Sequence, residues 1–360
     1  MDAGEDEIFM KMALRLAKRG EGWVSPNPLV GAVIVKDGRV IAQGYHRRYG
    51  GDHAEVDAIK RAREPLEGAT LYVNLEPCCH WGKTPPCTDR ILEAGIKRVV
   101  ISNLDPNPLV SGKGKELLEG HGVSVHVGVL EQIGRQLNYA YFKYHEEGLP
   151  LVTLKWAQSL DGRIATLGGD SRWISSDRAL RFAHRLRAIH DAVLVGIGTV
   201  LRDDPQLTVR FTRGRDPLKV VLDSRLRIPP SARLLRDPAR VILASTKRAD
   251  PERVEEMRRR GAEVLLLGQE RVDLRGLLKE LHRRGVQSVL VEGGSGILTS
   301  FLKEGLADRV IVILSPKLIG KGVEAIGDLG IRMVGEALRF RRVSFRRIGH
   351  DLVLEGWLRG

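Results

Sequence analysis

The sequence predicts an α/β protein of two successive domains, and three observations carry that expectation. Apolar strand-like runs alternate with amphipathic helical segments along both halves of the chain, the pattern of helices packed over a sheet. Gly148 and Pro150 punctuate the chain after a helical stretch, and the β-branched run LVTLKWA begins at once. The length of 360 residues suits two domains of ordinary size, 1–147 and 148–360.

In the first half, DEIFMKMALRLAKRG places Ile8, Met12 and Leu16, with Phe9 and Ala13, on one helical face and stops at Gly20. LVGAVIVKDGRVIAQGY reads as a β-hairpin, two β-branched runs around the tight-turn pair Asp37-Gly38. A helix follows from about His53 to Arg63, then a strand over Ala69–Asn74 and a loop carrying the cysteines. A helix around Asp89–Ala94, a strand over Arg98–Ser102 and a helical stretch over Leu130–His145 complete the half. The second half shows no repeat of the first. After LVTLKWA, its strands are expected over Asp191–Val195, Leu218–Asp223, Arg240–Ser245, Ser288–Glu292 and Arg309–Leu314. Its helices are expected over Ser176–Ile189, Pro251–Arg260, Leu274–Arg284 and Gly296–Glu304.

Hydrophobic residues at 42% and charged residues at 29% describe a globular chain and exclude a disordered one. No run approaches the ~20 apolar residues that span a bilayer. The N-terminus, MDAGEDEIFM, is acidic where a secretory signal is basic and then apolar, so cytoplasmic residence is the expectation. A net charge of +13 can attract nucleic acid, but it suits small phosphorylated substrates equally well. The basic residues are interleaved with acids, as in RRGAEVLLLGQERVDLRG, and aromatic residues for base stacking are scarce at 5%. A solvated, ion-paired surface accounts for most of this charge, and neither nucleic acid nor a membrane is expected as a partner.

All three cysteines, Cys78, Cys79 and Cys87, fall within ten residues. An odd, clustered set reads as a metal site, not a disulfide framework. His53-Ala54-Glu55, Glu76-Pro77-Cys78 and Pro86-Cys87 offer one imidazole and two thiolates, the three protein ligands of a catalytic zinc that keeps a fourth position for water. Glu55, two residues after the histidine, can accept the water proton and pass it to a departing amine. Zinc deaminases of nucleobases carry H-x-E followed by P-C-x-x-C, with such a non-ligating Glu. Here H-A-E and P-C match, but Trp81 stands where C-x-x-C would put sulfur, and the next ligand cysteine follows the eight-residue gap CHWGKTPP. The gap leaves Cys79 as a rival to Cys78, the latter preferred because Pro-Cys is the arrangement the motif uses. A structural zinc site with His80 as fourth ligand is the other alternative.

Pro26-Asn27-Pro28-x-Val30-Gly31, His53-Ala54-Glu55 and LEPCCHWGKTPPC together resemble the deaminase domain of the RibD family of bifunctional riboflavin-biosynthesis proteins. The extended Gly82–Cys87 loop separates that family from cytidine and tRNA deaminases, and Cys79 replaces its usual Ser. The resemblance implies a cytidine-deaminase-like α/β/α fold, with Asn27 on the pyrimidine ring and His80 and Lys83 near the ring and the ribose phosphate.

The second half carries VLVEGGSGILTSFL, a β-branched run leading through Gly293-Gly294-Ser295-Gly296 into a helix. That arrangement lets a phosphate approach the backbone at a helix start, though by itself it reads as a plain strand–turn–helix connection. LKWAQSLDGRIAT, Ser171-Arg172-Trp173-Ile174, GIGTVLRDDPQLTVR and VLDSRLR resemble successive motifs of the same family's reductase domain, which implies a dihydrofolate-reductase-like α/β fold and NADPH. By that resemblance Ala157, Trp173, Thr199, Asp203 and Ser224 line the NADPH site, and Gly294, Ser295, Gly296, Ile297, Leu298, Thr299 and Ser300 hold its pyrophosphate. Ser171, Arg187, Leu207, Arg210 and Glu292 contact the substrate, with Lys155 and Asp161 as further candidates. Thr246, Lys247 and Arg248 are placed to meet the 2′-phosphate. The expected reading is one Zn2+ and one NADPH serving two consecutive steps on a phosphorylated pyrimidine, in a homo-oligomer. A nucleic-acid-editing deaminase with an RNA-binding second half, and a non-catalytic zinc module, are the rival readings.

Overall fold

The computed structural model describes residues 3–359; Met1 and Asp2, which open the acidic N-terminus, and Gly360 lie outside the described residues. The chain divides into two compact units, Met1–Glu147 and Gly148–Gly360. No helix among the described residues is long and apolar enough to cross a membrane.

The first unit contains β1 (Gly31–Lys36), β2 (Arg39–Tyr45), β3 (Thr70–Leu75), β4 (Arg98–Asn103) and β5 (Ser124–Val127), in the sheet order β2-β1-β3-β4-β5. β1 is antiparallel to β2 and β3, while β3, β4 and β5 are parallel. The hairpin turns at Asp37 and Gly38, both at positive φ (49° and 71°), the conformation of a two-residue type I′ turn. Successive residues of the central strands enter opposite cores. Ile34, Leu71 and Ile101 pack with Ala54 and Ala58 of the Ala54–Arg61 helix, and Val33, Tyr72 and Val100 with Met10, Ala13 and Leu14 of the Ala3–Ala17 helix. A sheet covered on both faces explains why these strands read as continuous apolar runs.

The stretch expected as one helix over Leu130–His145 is two, Glu131–Leu137 and Tyr139–Glu147. The break falls at Asn138, whose side chain accepts from Leu29 N–H at 2.8 Å and donates to Leu29 O at 2.9 Å, tying down the Asn27 loop. The Lys113–Gly120 helix, KGKELLEG, contains two glycines, and β5 is a four-residue edge strand, so neither stands out in the sequence pattern.

The second unit contains β6 (Leu151–Ser159), β7 (Arg163–Thr166), β8 (Ala192–Gly196), β9 (Leu218–Leu222), β10 (Val241–Ser245), β11 (Glu263–Leu266), β12 (Ser288–Val291), β13 (Arg309–Ser315), β14 (Gly322–Glu324), β15 (Arg342–Ile348) and β16 (Asp351–Trp357). Nine of them form one sheet, β11-β10-β9-β8-β12-β6-β13-β16-β15, and β14 pairs with β7. The run from β11 to β13 is parallel throughout, and β16 and β15 extend it as an antiparallel hairpin. The parallel strands therefore end along one edge, where α/β proteins bind their ligands. The hairpin was not expected from the sequence, because RVSFRRI mixes arginine into an exposed edge strand. β7, β11 and β14 are too short for a period to register.

Gly44 on β2 is what lets the Ala54–Arg61 helix come close to the sheet: a Cβ there would sit 2.3 Å from Ala58 N and 2.5 Å from Ala54 O. Gly44→Ala is expected to cost about 1–3 kcal/mol by forced overpacking, read as a lower urea midpoint for the first unit. An unchanged midpoint would refute the close approach.

Candidate zinc and cofactor sites

The first site assembles where a strand end, a loop and two helix starts meet. His53 precedes the Ala54–Arg61 helix in extended conformation, and its carbonyl accepts from Asp57 N–H at 2.9 Å. Cys78 follows β3, and Cys87 opens the Cys87–Glu93 helix after Pro86. The two cysteine segments are stitched together: Thr88 N–H donates to Cys78 O at 3.2 Å and Cys87 N–H to Cys78 Sγ at 3.4 Å. His53 Nδ1 lies 3.5 Å from Cys78 Sγ and 3.3 Å from Cys87 Sγ. Around a tetrahedral zinc with Zn–N near 2.0 Å and Zn–S near 2.3 Å, an N···S edge is about 3.6 Å. The donor set therefore fits zinc in type and in spacing. All three ligand atoms fall within 4.8 Å of one another, and neither Cys79 nor His80 belongs to the cluster. Of the two cysteines left open by the sequence, the fold brings Cys78 to the histidine.

Glu55 sits in the first turn of the same helix, fully buried, and its Oε2 has no hydrogen-bond partner among the described residues. Burial pushes its pKa up to about 7. The site opens into a cavity of about 220 Å3 whose lining includes Asn27, His53, Glu55, Cys78, His80 and Lys83. The structure thus brings every first-half candidate to one place. Lys83 Nζ lies 4.1 Å from the centre of the Tyr49 ring, and His80 Nδ1 has no partner among the described residues.

Other lining residues were missed by sequence reasoning. His46 Nε2 is 3.0 Å from Asn27 Nδ2. Asp105 accepts from Tyr141 OH at 3.0 Å, and burial raises its pKa to about 6. Glu76 holds that loop by accepting from the N–H groups of Asp105, Gly112 and Lys115 at 3.1, 2.9 and 3.0 Å. The string Asp105-Pro106-Asn107-Pro108 at the carboxyl end of parallel β4 was the signal that could have found them.

In the second unit the candidates fall along the carboxyl ends of the parallel strands. Ala157 lies near the end of β6, Thr199 and Asp203 on the Ile197–Asp203 helix after β8, Ser224 after β9, and Glu292 to Ser300 after β12. Gly294 is the extended N-cap of the Ser295–Lys303 helix, whose first-turn N–H groups lack intrahelical partners. Gly196 allows that helix to start against β8, since a Cβ there would lie 2.3 Å from Ile297 Cδ1. Thr246 Oγ1 donates to Ser224 O at 2.7 Å, joining the ends of β9 and β10, and Arg248 is ion-paired with Glu270.

Arg187 and Glu292 form a two-bonded ion pair, Nε to Oε1 at 2.8 Å and Nη2 to Oε2 at 2.7 Å. Lys155 Nζ lies 3.7 Å from the same carboxylate. Burial opposes ionisation of Glu292, and the Arg187 and Lys155 charges outweigh it, holding the group at about 2. Arg187 also donates to Thr208 O at 3.3 Å, and Arg210 N–H donates to His184 Nδ1 at 3.0 Å, so the Leu207–Arg210 segment joins this cluster. Leu207 and Leu298 turn their side chains into the core (2% and 0% exposed), which leaves only their backbone for a ligand. Ser171 sits in a turn closed by Ile174 N–H, and Trp173 is 67% exposed. Asp161 accepts from Ser159 Oγ at 2.5 Å and from Ile319 and Gly320 N–H at 3.1 and 2.6 Å, which shapes the loop it stands in.

The two cysteines separate by measurement. Cys78→Ser is expected to drop bound zinc by at least tenfold, and Cys79→Ser to leave it at about one per chain, by elemental analysis of dialysed protein.

With this geometry described, the comparisons with known proteins become specific. Residues 3–103 match the cytidine and deoxycytidylate deaminase zinc-binding region, and residues 150–354 match the RibD C-terminal domain. The riboflavin biosynthesis protein RibD of Aquifex aeolicus (strain VF5) is 48% identical over 97% of each chain. That of Escherichia coli (strain K12) is 39% identical over 97% of this chain and 98% of its own. Among solved structures, Acinetobacter baumannii RibD, form 1, is 38% identical with a TM-score of 0.91, covering 99% of each chain. A diaminohydroxyphosphoribosylaminopyrimidine deaminase/5-amino-6-(5-phosphoribosylamino)uracil reductase from Thermotoga maritima is 43% identical with a TM-score of 0.86, also over 99% of each. Both halves of the chain are thus accounted for, which disfavours an RNA-editing enzyme. The chain carries a deaminase and a reductase activity of riboflavin biosynthesis, uses zinc and NADPH, and belongs to the RibD family.

Proposed function

We propose that the first unit hydrolyses the 2-amino group from 2,5-diamino-6-ribosylamino-4(3H)-pyrimidinone 5′-phosphate, and that the second reduces the ribosyl group of the product to ribityl. The observation that carries the first step is the buried, unpartnered carboxylate oxygen of Glu55 beside the His53, Cys78 and Cys87 ligand atoms. Zinc at those ligands supplies Lewis-acid activation of water. Glu55, whose pKa burial raises to about 7, would take one proton from the attacking water and give it to the bare ring nitrogen, and would then carry the remaining hydroxyl proton to the amine as the C–N bond breaks and ammonia leaves. Asn27 and His80 engage the ring, and Lys83 offers a cation to the ribose phosphate. Tyr49, under the Lys83 ammonium, holds it in the cavity lining.

In the second unit NADPH supplies the hydride for the sugar carbon. The Gly294–Ser300 segment, with its helix start, receives the cofactor pyrophosphate, and Ala157, Trp173, Thr199, Asp203 and Ser224 line the rest of the cofactor. Ser171, Arg187, Leu207, Arg210 and Glu292 orient the substrate, with Lys155 held beside them by the shared carboxylate. Self-association is supported by the exposed β15 edge, where Val343 and Phe345 face solvent. Residence in the cytoplasm is supported by the biosynthetic role of the family.

Glu55→Gln is expected to lower ammonia release by at least a thousandfold, while NADPH oxidation on the deaminated intermediate persists. Loss of both activities in folded protein would overturn this division of labour. Glu292→Gln strands two cations and is expected to cost about 3 kcal/mol at neutral pH. Because the folded Glu292 titrates near 2 against a usual 4.5, the deficit relative to the native chain narrows as pH falls from 4.5 towards 2. Urea titrations across that window measure it.

A further inference from the structure

Asn27 faces the deaminase cavity with an amide that could present either a donor or an acceptor, and the ring it can recognise depends on which. The deciding contacts lie behind it. His46 is 2% exposed, with its ring edge-on to that of His53 at 5.3 Å between centres. Its Nδ1 is 2.8 Å from the backbone carbonyl of Asp52, and its Nε2 is 3.0 Å from Asn27 Nδ2. A carbonyl oxygen only accepts, so Nδ1 must carry the proton. In the neutral imidazole Nε2 is then a bare acceptor. An acceptor requires the NH2 end of Asn27, which leaves Asn27 Oδ1 free for a ligand.

We propose that His46 is a positioning residue that fixes the Asn27 amide with its oxygen towards the substrate, so that Asn27 selects a ring N–H. This rests on the deaminase reading above and specifies which ring it accepts. In a 2-amino-4(3H)-pyrimidinone the amine-bearing carbon is flanked by one protonated and one bare ring nitrogen. In cytosine the single ring nitrogen beside the amine-bearing carbon is bare. A fixed acceptor rewards the first and leaves its own oxygen unpaired against the second, and such polar mismatches discriminate more strongly than shape does.

The test is a double-mutant cycle in the zinc-loaded full-length chain, with the diaminopyrimidinone phosphate as substrate and ammonia as readout. His46→Phe keeps a buried ring and removes the acceptor. It is expected to raise KM about tenfold and change kcat less than threefold, with zinc still at about one per chain. In an Asn27→Ala background the same substitution is expected to change KM less than twofold, because the residue it acts through is gone. Effects that multiply in the double variant, or a fall in kcat with KM unchanged, overturn the proposal. So does loss of zinc from His46→Phe. A second measurement needs no variant to be active: 15N-histidine NMR of the native zinc-loaded protein is expected to show His46, assigned by its absence from His46→Phe spectra or by sequential labelling, as the neutral Nδ1–H tautomer. An Nε2–H tautomer or an imidazolium overturns the proposal. Failure of the native chain to release ammonia would instead overturn the deaminase reading itself, so the two failures are distinguishable.

Discussion

Three ligand atoms from separate stretches of chain have to lie within a few ångströms of one another, and much of the first unit can be understood from that constraint. His53 Nδ1 and the thiolates of Cys78 and Cys87 meet because a helix start, a strand end and a second helix start are brought to one edge of the sheet. Gly44 permits the close helix approach on one side, and the hydrogen bonds from the Cys87 segment to Cys78 bind the other. Without the metal, the His53 imidazole and the two cysteine sulfurs are within hydrogen-bond distance of one another. With zinc, the same spacing becomes a tetrahedral face.

The surroundings of the ligands carry as much of the chemistry as the ligands themselves. One oxygen of the Glu55 carboxyl has no partner among the described residues, and burial raises the group to about 7, where a carboxyl can both take and give a proton. Asp105, Glu76 and Tyr141 form a hydrogen-bonded, polar part of the same cavity's lining. The second unit uses a different device. Its parallel strands terminate along one edge, and a single buried carboxylate, Glu292, gathers Arg187 and Lys155 into a fixed cationic cluster.

The charge of the whole molecule therefore says less than its local arrangement. Many of the basic residues stand in surface pairs such as Arg258–Glu255 and Arg332–Asp328, worth little individually. The cations proposed for the two sites are few, and Arg187, Lys155 and Lys83 stand against a carboxylate or an aromatic ring.

Most of both domains was legible in the sequence where periodicity was strong. The Asp37-Gly38 turn, the buried parallel strands and the long amphipathic helices follow from side-chain pattern and turn chemistry alone. The kind of site was legible as well, because one His, clustered Cys and a nearby Glu in that order point to zinc chemistry. What the sequence could not decide were contacts between residues far apart in the chain. Whether Cys78 or Cys79 meets His53 depends on the path of the loop after β3. The helix break at Asn138 depends on a loop more than a hundred residues away. His46 and Asp105 are ordinary polar residues until β2 and β4 bring them to the cavity, and β15 reads as loop until β16 pairs with it. Local propensity and motif spacing act over a few residues, whereas these assignments are set by backbone hydrogen bonds and side-chain contacts that exist only once the chain has folded.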